Sequence, residues 1–149
     1  MNIIDKILII DDEELDSFLH SSILKEFGYA KEIVVKRNGK EAIDYLQKDC
    51  QQSNQYPSLI FVDLYMPKSN GFDFLKEFDK IIIPNKYNIA VVVLSYSDNA
   101  DDVIRLNKIG KFHFEQKPLC VEKMENVVHR YFRKSLAQIQ HANKELLKY

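Results

Sequence analysis

Leu59-Ile60-Phe61-Val62-Asp63-Leu64-Tyr65-Met66-Pro67 is an apolar run that meets an aspartate and then a Met-Pro stop. A short continuous apolar run bounded by a proline reads as a strand buried on both faces, which is the habit of parallel sheets. Burial alone gives no reason for a carboxylate at the carboxyl end of such a strand. The partners that would give Asp63 a purpose have to come from the rest of the chain.

The 149 residues fit one domain with a single core, and the formal net charge of −1 argues against general binding to DNA or other polyanions. Two cysteines, Cys50 and Cys120, supply neither metal-ligand spacing nor a disulfide framework, so a reducing compartment is expected. The opening apolar run is too short, and too soon interrupted by acids, for a signal peptide or a membrane span. These bounds predict a cytoplasmic protein.

With this strand placed at 58–62, four more are predicted: 6–10, 32–36, 88–94 and 111–116. Leu15, Phe18, Leu19, Ile23, Leu24 and Phe27 recur at helical spacing after the first strand, with Gly28 placed as a C-cap. Asn38 and Glu41 fit a capping box, which opens a helix through Ala42, Ile43, Tyr45 and Leu46. The polar residues 47–57 read as a loop. Further helices are predicted from Gly71, from Asp98 or Asn99 to Gly110, and from near Val121 almost to Tyr149. Five strands alternating with five helices predict a doubly wound α/β fold.

In such a sheet the carboxyl ends of all strands share one edge, where ligands bind. Asp11 and Asp12 finish the first strand, Asp63 the third, Ser95 the fourth and Lys117 the fifth. Asp11 and Asp12 alone suit a helix N-terminus equally well. Once Asp63 joins them, three crowded carboxylates call for a cation, and Mg²⁺ takes such oxygen ligands. A carboxylate beside a metal also serves as a nucleophile that forms an aspartyl phosphate. Lys117 and Ser95 would then hold the phosphoryl oxygens.

The segments LIIDDEE (8–14), NGKEAI (38–43), FVDLYMPKSNGFDFL (61–75), VVVLSYS (91–97) and GKFHFEQKPL (110–119) together resemble the response-regulator receiver domain of two-component signalling. The resemblance covers roughly residues 5–130. It implies a flavodoxin-like fold with strand order 2-1-3-4-5 and Asp63 as the phosphoacceptor. It implies Mg²⁺ held by Asp11, Asp12, Asp63 and the backbone carbonyl of Tyr65. Ser95 and Lys117 would contact the phosphoryl group, Ser95 and Phe114 would be the switch residues, and the Lys117–Pro118 bond would be cis. The implied donor is the phosphohistidine of a sensor histidine kinase or phosphotransfer protein.

Two residues depart from the family pattern. Tyr96 stands where a small residue usually follows the switch hydroxyl, and a ring there would shield the site. Tyr65 occupies a position that tunes phosphoryl lifetime in the family. A phosphohydrolase of the haloacid dehalogenase type would want an aspartate at position 65, and a degenerate receiver would lack some of the five site residues. Residues 1–133 are expected to form the receiver and 134–149 a basic helical extension, with no effector domain. Leu136, Ile139 and Leu146 would present that extension to a downstream protein or to a second copy of the chain.

Overall fold

The computed structural model describes residues 3–148. Strands β1 (Ile4–Ile10), β2 (Ala30–Lys36), β3 (Leu59–Asp63), β4 (Ala90–Ser95) and β5 (His113–Gln116) form one parallel sheet in the order β2-β1-β3-β4-β5. The predicted order therefore holds. The chain reverses direction across the sheet after β2, so the crevice between β1 and β3 is the topological switch point.

Residue alternation along the strands builds a core on each face. Leu8, Ile10, Ile60, Val62, Val91 and Val93 point toward the helices α2 (Gly39–Asp44), α4 (Gly71–Lys80) and α5 (Ala100–Ile109). Ile7, Ile9, Leu59, Phe61, Val92 and Leu94 meet Leu24 of α1 (Glu14–Glu26) and Met124, Val127 and Val128 of α6 (Val121–Tyr131). Each such side chain contributes about 1.5–3 kcal/mol by leaving water.

Helix α1 forms where expected, but its phase differs from the apolar spacing. Leu15 and Phe18 are each 68 % exposed, Leu19 and Phe27 are exposed too, and the buried residues are Ser17, His20 and Leu24. The helix is anchored by its ends and by polar contacts as well as by Leu24. Its C-terminus closes as a Schellman turn: Tyr29 N–H donates to Leu24 O at 3.0 Å and Gly28 N–H to Lys25 O at 3.1 Å. Gly28 has φ 68°, a conformation that glycine adopts without a Cβ clash.

Asn38 caps α2, its Oδ1 accepting from Glu41 N–H at 2.9 Å. The carboxylate of Glu41 reaches one residue further back than a capping box requires, accepting from Arg37 N–H at 3.2 Å. Residues 47–53, expected as loop, are helical instead. A π-turn (Tyr45–Asp49) leads into α3 (Cys50–Ser53), and Asn54 ends it at φ 55°. The wider turn brings Cys50 beneath Tyr45 and Leu46, and this buried trio outweighs the polar composition of the segment.

Asn70 and Asn99 cap α4 and α5 through their side-chain oxygens, each accepting a backbone N–H at 2.9 Å. The far end of α4 is held by Lys86, whose Nζ donates to the carbonyls of Phe78, Asp79 and Ile81 at 2.8–3.0 Å. The last helix is not continuous. Phe132 leaves helical geometry at φ −125°, ψ 29°, separating α6 from α7 (Arg133–Leu146). Phe132 and Leu136 both pack against the α1/α6 face of the core, so Leu136 is largely occupied within the molecule. The side chain of Ile139 lies outside the described residues. Among the described residues no helix is long and apolar enough to cross a membrane.

Candidate functional site

Strand register decides which residues meet at the carboxyl edge. Ile10 lies beside Val62, so the next residues, Asp11 and Asp63, emerge side by side from β1 and β3. Hydrogen bonds continue past the strand ends: Asp11 N–H donates to Lys36 O at 3.0 Å, Leu64 N–H to Leu94 O at 3.0 Å and Lys117 N–H to Ser95 O at 2.7 Å. All four site segments are thus fixed by the sheet itself. The Lys117–Pro118 bond is cis, as the resemblance implies.

Gly71 seats the β3 end against α4. Its N–H donates to Leu64 O at 2.8 Å, and a Cβ there would lie 2.6 Å from Asp63 O and 2.9 Å from Leu64 Cα. Neither obstacle is a side-chain tip that could swing away.

Oxygen atoms of Asp11, Asp12 and Asp63 all lie within 4.8 Å of one another. Three hard oxygen donors at this spacing suit a divalent cation of the Mg²⁺ type. Lys117 partly neutralises them. Its Nζ stands 2.7 Å from Asp11 Oδ2, 3.0 Å from Asp16 Oδ2 and 3.2 Å from Asp63 Oδ2. Burial opposes the charged ammonium, but the Asp11 hydrogen bond, the Asp63 charge and the Asp16 hydrogen bond outweigh it and hold Lys117 above the ordinary lysine value. Burial pushes the Asp63 carboxyl up to about 6 against the pull of Lys117, with repulsion from Asp11 adding to the rise.

Asp63 Oδ1 accepts from Tyr65 N–H at 3.2 Å, and Asp11 Oδ1 from Glu13 N–H at 3.0 Å. Ser95 is buried and its Oγ accepts from Ser97 N–H at 3.1 Å, which leaves its hydroxyl hydrogen free to donate. A cavity of about 370 Å³ opens onto Asp63, Tyr65, Ser95 and Lys117. Phe114 is half-buried on β5, paired with Val93 and packed on the α4/α5 side of the core; it does not line this cavity.

Three residues at the site were not singled out from the sequence. Asp16 gives Lys117 a third carboxylate; it stands one helical turn past Asp12, and that spacing was the available signal. Asp102, buried on α5, accepts the Tyr65 hydroxyl and ties the residue two beyond Asp63 to that helix. His20 is 3 % exposed, and its Nε2 accepts from Leu119 N–H at 3.2 Å, fastening the loop after Lys117 to α1. The Nδ1 atom of His20 therefore carries the ring proton, and burial, reinforced by the Lys117 charge, lowers its pKa. A histidine inside an apolar helical pattern gave no sequence signal for this contact.

Comparison with known proteins agrees with the geometry. The profile of the response regulator receiver domain matches residues 7–129. The response regulator Rcp1 of Synechocystis is 37 % identical over 99 residues, covering 66 % of each chain. The probable transcriptional regulator ycf27 of Porphyra purpurea is 27 % identical over 88 % of this chain, which spans only 49 % of that relative's length. Among solved structures, a two-component response regulator from Cytophaga hutchinsonii superposes with a TM-score of 0.77 at 26 % identity, covering 87 % of this chain and 98 % of its own. The Mn²⁺-bound form of Rcp1 superposes at 0.64 with 31 % identity, covering 83 % of this chain and 88 % of its own. With the receiver-domain profile spanning residues 7–129 and its fold shared with solved response regulators, the chain belongs to the response regulator receiver family.

Proposed function

We propose that the protein is a phosphoacceptor that takes a phosphoryl group onto Asp63 and signals through a protein-binding surface. The observation that carries this is the convergence of Asp11, Asp12 and Asp63 within 4.8 Å, with Lys117 Nζ 3.2 Å from the acceptor. In the transfer an Asp63 carboxylate oxygen attacks phosphorus, and the phosphorus–nitrogen bond of a donor phosphohistidine breaks. Its electron pair stays on the imidazole, and an acyl phosphate remains on Asp63. Lys117 donates to one phosphoryl oxygen and the Ser95 hydroxyl to another.

The carboxylates of Asp11, Asp12 and Asp63, with the Tyr65 carbonyl, would hold Mg²⁺, which when bound neutralises charge between the acceptor and the incoming phosphoryl. The Mn²⁺-bound state of Rcp1 favours a divalent ion at this cluster. The donor is a sensor histidine kinase or phosphotransfer protein, and the only phosphoryl group turned over is the protein's own. Ser95 and Phe114 carry the switch. Residues 1–133 act as the receiver, and α7 beyond it offers its exposed end to a downstream protein or a second copy.

Incubation with acetyl phosphate and Mg²⁺, followed by intact-mass measurement, tests this. One phosphoryl adduct is expected on the wild type, none with EDTA present and none on Asp63→Asn. A full adduct on Asp63→Asn would overturn the assignment.

A further inference from the structure

Three carboxylates surround the Lys117 ammonium, which donates to Asp11 and Asp16 and stands 3.2 Å from Asp63. Two belong to the acidic cluster itself; the third, Asp16, belongs to α1 and stands at the rim. Asp16 is itself held from the opposite side. The Tyr96 hydroxyl donates to it, lying 3.1 Å from Oδ1 and 3.2 Å from Oδ2. The Tyr96 ring covers the Lys117 ammonium, with Nζ 5.3 Å from the ring centroid, and Gln116 Nε2 fixes the Tyr96 backbone by donating to its carbonyl at 3.0 Å. A bridge from α1 to the loop after β4 thus closes over the lysine. Asp16 and Tyr96 both line the cavity that reaches Asp63.

Building on the phosphoacceptor function above, we propose that Asp16 is a positioning residue for Lys117, latched by Tyr96, which must give up the ammonium before Lys117 can bind an incoming phosphoryl oxygen. Charge arithmetic selects Asp16 as the partner to leave. Asp11, Asp12, Asp16 and Asp63 are four carboxylates against one lysine, and a phosphoryl group adds further negative charge. Asp11 is buried with the metal-type cluster and Asp63 is the acceptor, so only Asp16 can withdraw toward water. Without it, Lys117 is still oriented by Asp11 and Asp63, and the N–H that Asp16 held is released toward the cavity. Asp16 therefore slows phosphorylation of the resting protein, and Tyr96 strengthens the delay through its hydroxyl.

The test is the second-order rate of Asp63 phosphorylation by acetyl phosphate in Mg²⁺, followed by intact mass on the full chain. Removing one adjacent negative charge, which leaves only a weaker amide acceptor for Lys117, should raise the rate about fivefold in Asp16→Asn. Tyr96→Phe keeps the ring over Lys117 and loses only the hydroxyl, and should gain about twofold. Glu14→Gln removes an exposed charge from the same helix start, away from Lys117, and should match the wild type. Mg²⁺ affinity, read by tyrosine fluorescence, should stay close to wild type in Asp16→Asn. A rate at or below wild type in Asp16→Asn with Mg²⁺ still bound would overturn the proposal, as would an equal gain in Glu14→Gln. Loss of Mg²⁺ binding would make Asp16 a metal ligand and overturn it as well. Normal labelling of the wild type without these gains sinks this proposal alone; no adduct on any form sinks the phosphoacceptor function with it.

Discussion

A carboxyl group buried beside one ammonium and two other carboxylates is pulled both ways, and at Asp63 burial wins. Its pKa rises from 3.8 to about 6. The folded state then binds the Asp63 proton more tightly than the unfolded chain does. The stabilising contribution is complete below about pH 4, falls as pH rises toward 6 and is lost above it. In chelator, Asp63→Asn should therefore stabilise the protein at pH 7 by about 1–2 kcal/mol, and the gain should vanish near pH 4. Urea unfolding of both proteins at the two pH values checks this; an Asn variant less stable than wild type at pH 7 would contradict it. Asp11, Asp12, Asp63, Ser95 and Lys117 were legible as a group because each ends a strand, and strand ends share an edge. Asp16, His20 and Asp102 were not, because they reach the site from helices, where one turn more or less changes the neighbour. Nothing in the sequence stated which turn of α1 faces Lys117.

Elements are placed by a few close contacts, and the junction of β3 and α4 depends on Gly71. Gly71→Ala would drive a methyl group into the backbone of Asp63 and Leu64, where no side chain can yield. A loss of about 2–4 kcal/mol is expected, together with weaker Mg²⁺ binding because Asp63 must shift. Thermal melting and a Mg²⁺ titration test the two parts; an unperturbed variant would show that the junction tolerates the methyl. The central strands β3 and β4 were readable because a doubly covered strand is buried and apolar along nearly its whole length. Helix faces were less so. On α1 the apolar residues Leu15, Phe18 and Leu19 point to water, while Ser17 and His20 point inward. The polar stretch 47–53 is helical because Cys50 joins Tyr45 and Leu46 across a π-turn, a five-residue spacing that the 3.6-residue pattern does not anticipate.

Away from the acidic edge of the sheet, several apolar side chains stand exposed among the described residues. At the end of α7, Leu146 is 76 % and Leu147 87 % exposed, whereas Leu136 is spent on the core. Removing residues 141–149 spares that packing. It should change the sizing profile or partner capture while Asp63 phosphorylation proceeds unaltered; an unchanged profile and capture would leave the end of α7 without a binding role. The break at Phe132 was hidden in the sequence, because Phe132 continues the apolar stripe of α6 even as its backbone leaves the helix. What the fold accomplishes with its charged edge is tested most directly by locating the phosphoryl bond. After acetyl phosphate and Mg²⁺ treatment, borohydride reduces an acyl phosphate on aspartate to homoserine, and tryptic fragmentation finds the altered residue. The tryptic peptide Asp49–Lys68 holds two aspartates, Asp49 and Asp63, which fragment ions tell apart. Homoserine at position 63 alone is the result expected; homoserine at Asp11, Asp12 or Asp49, or none anywhere in a protein that carries the adduct, would contradict Asp63 as the acceptor.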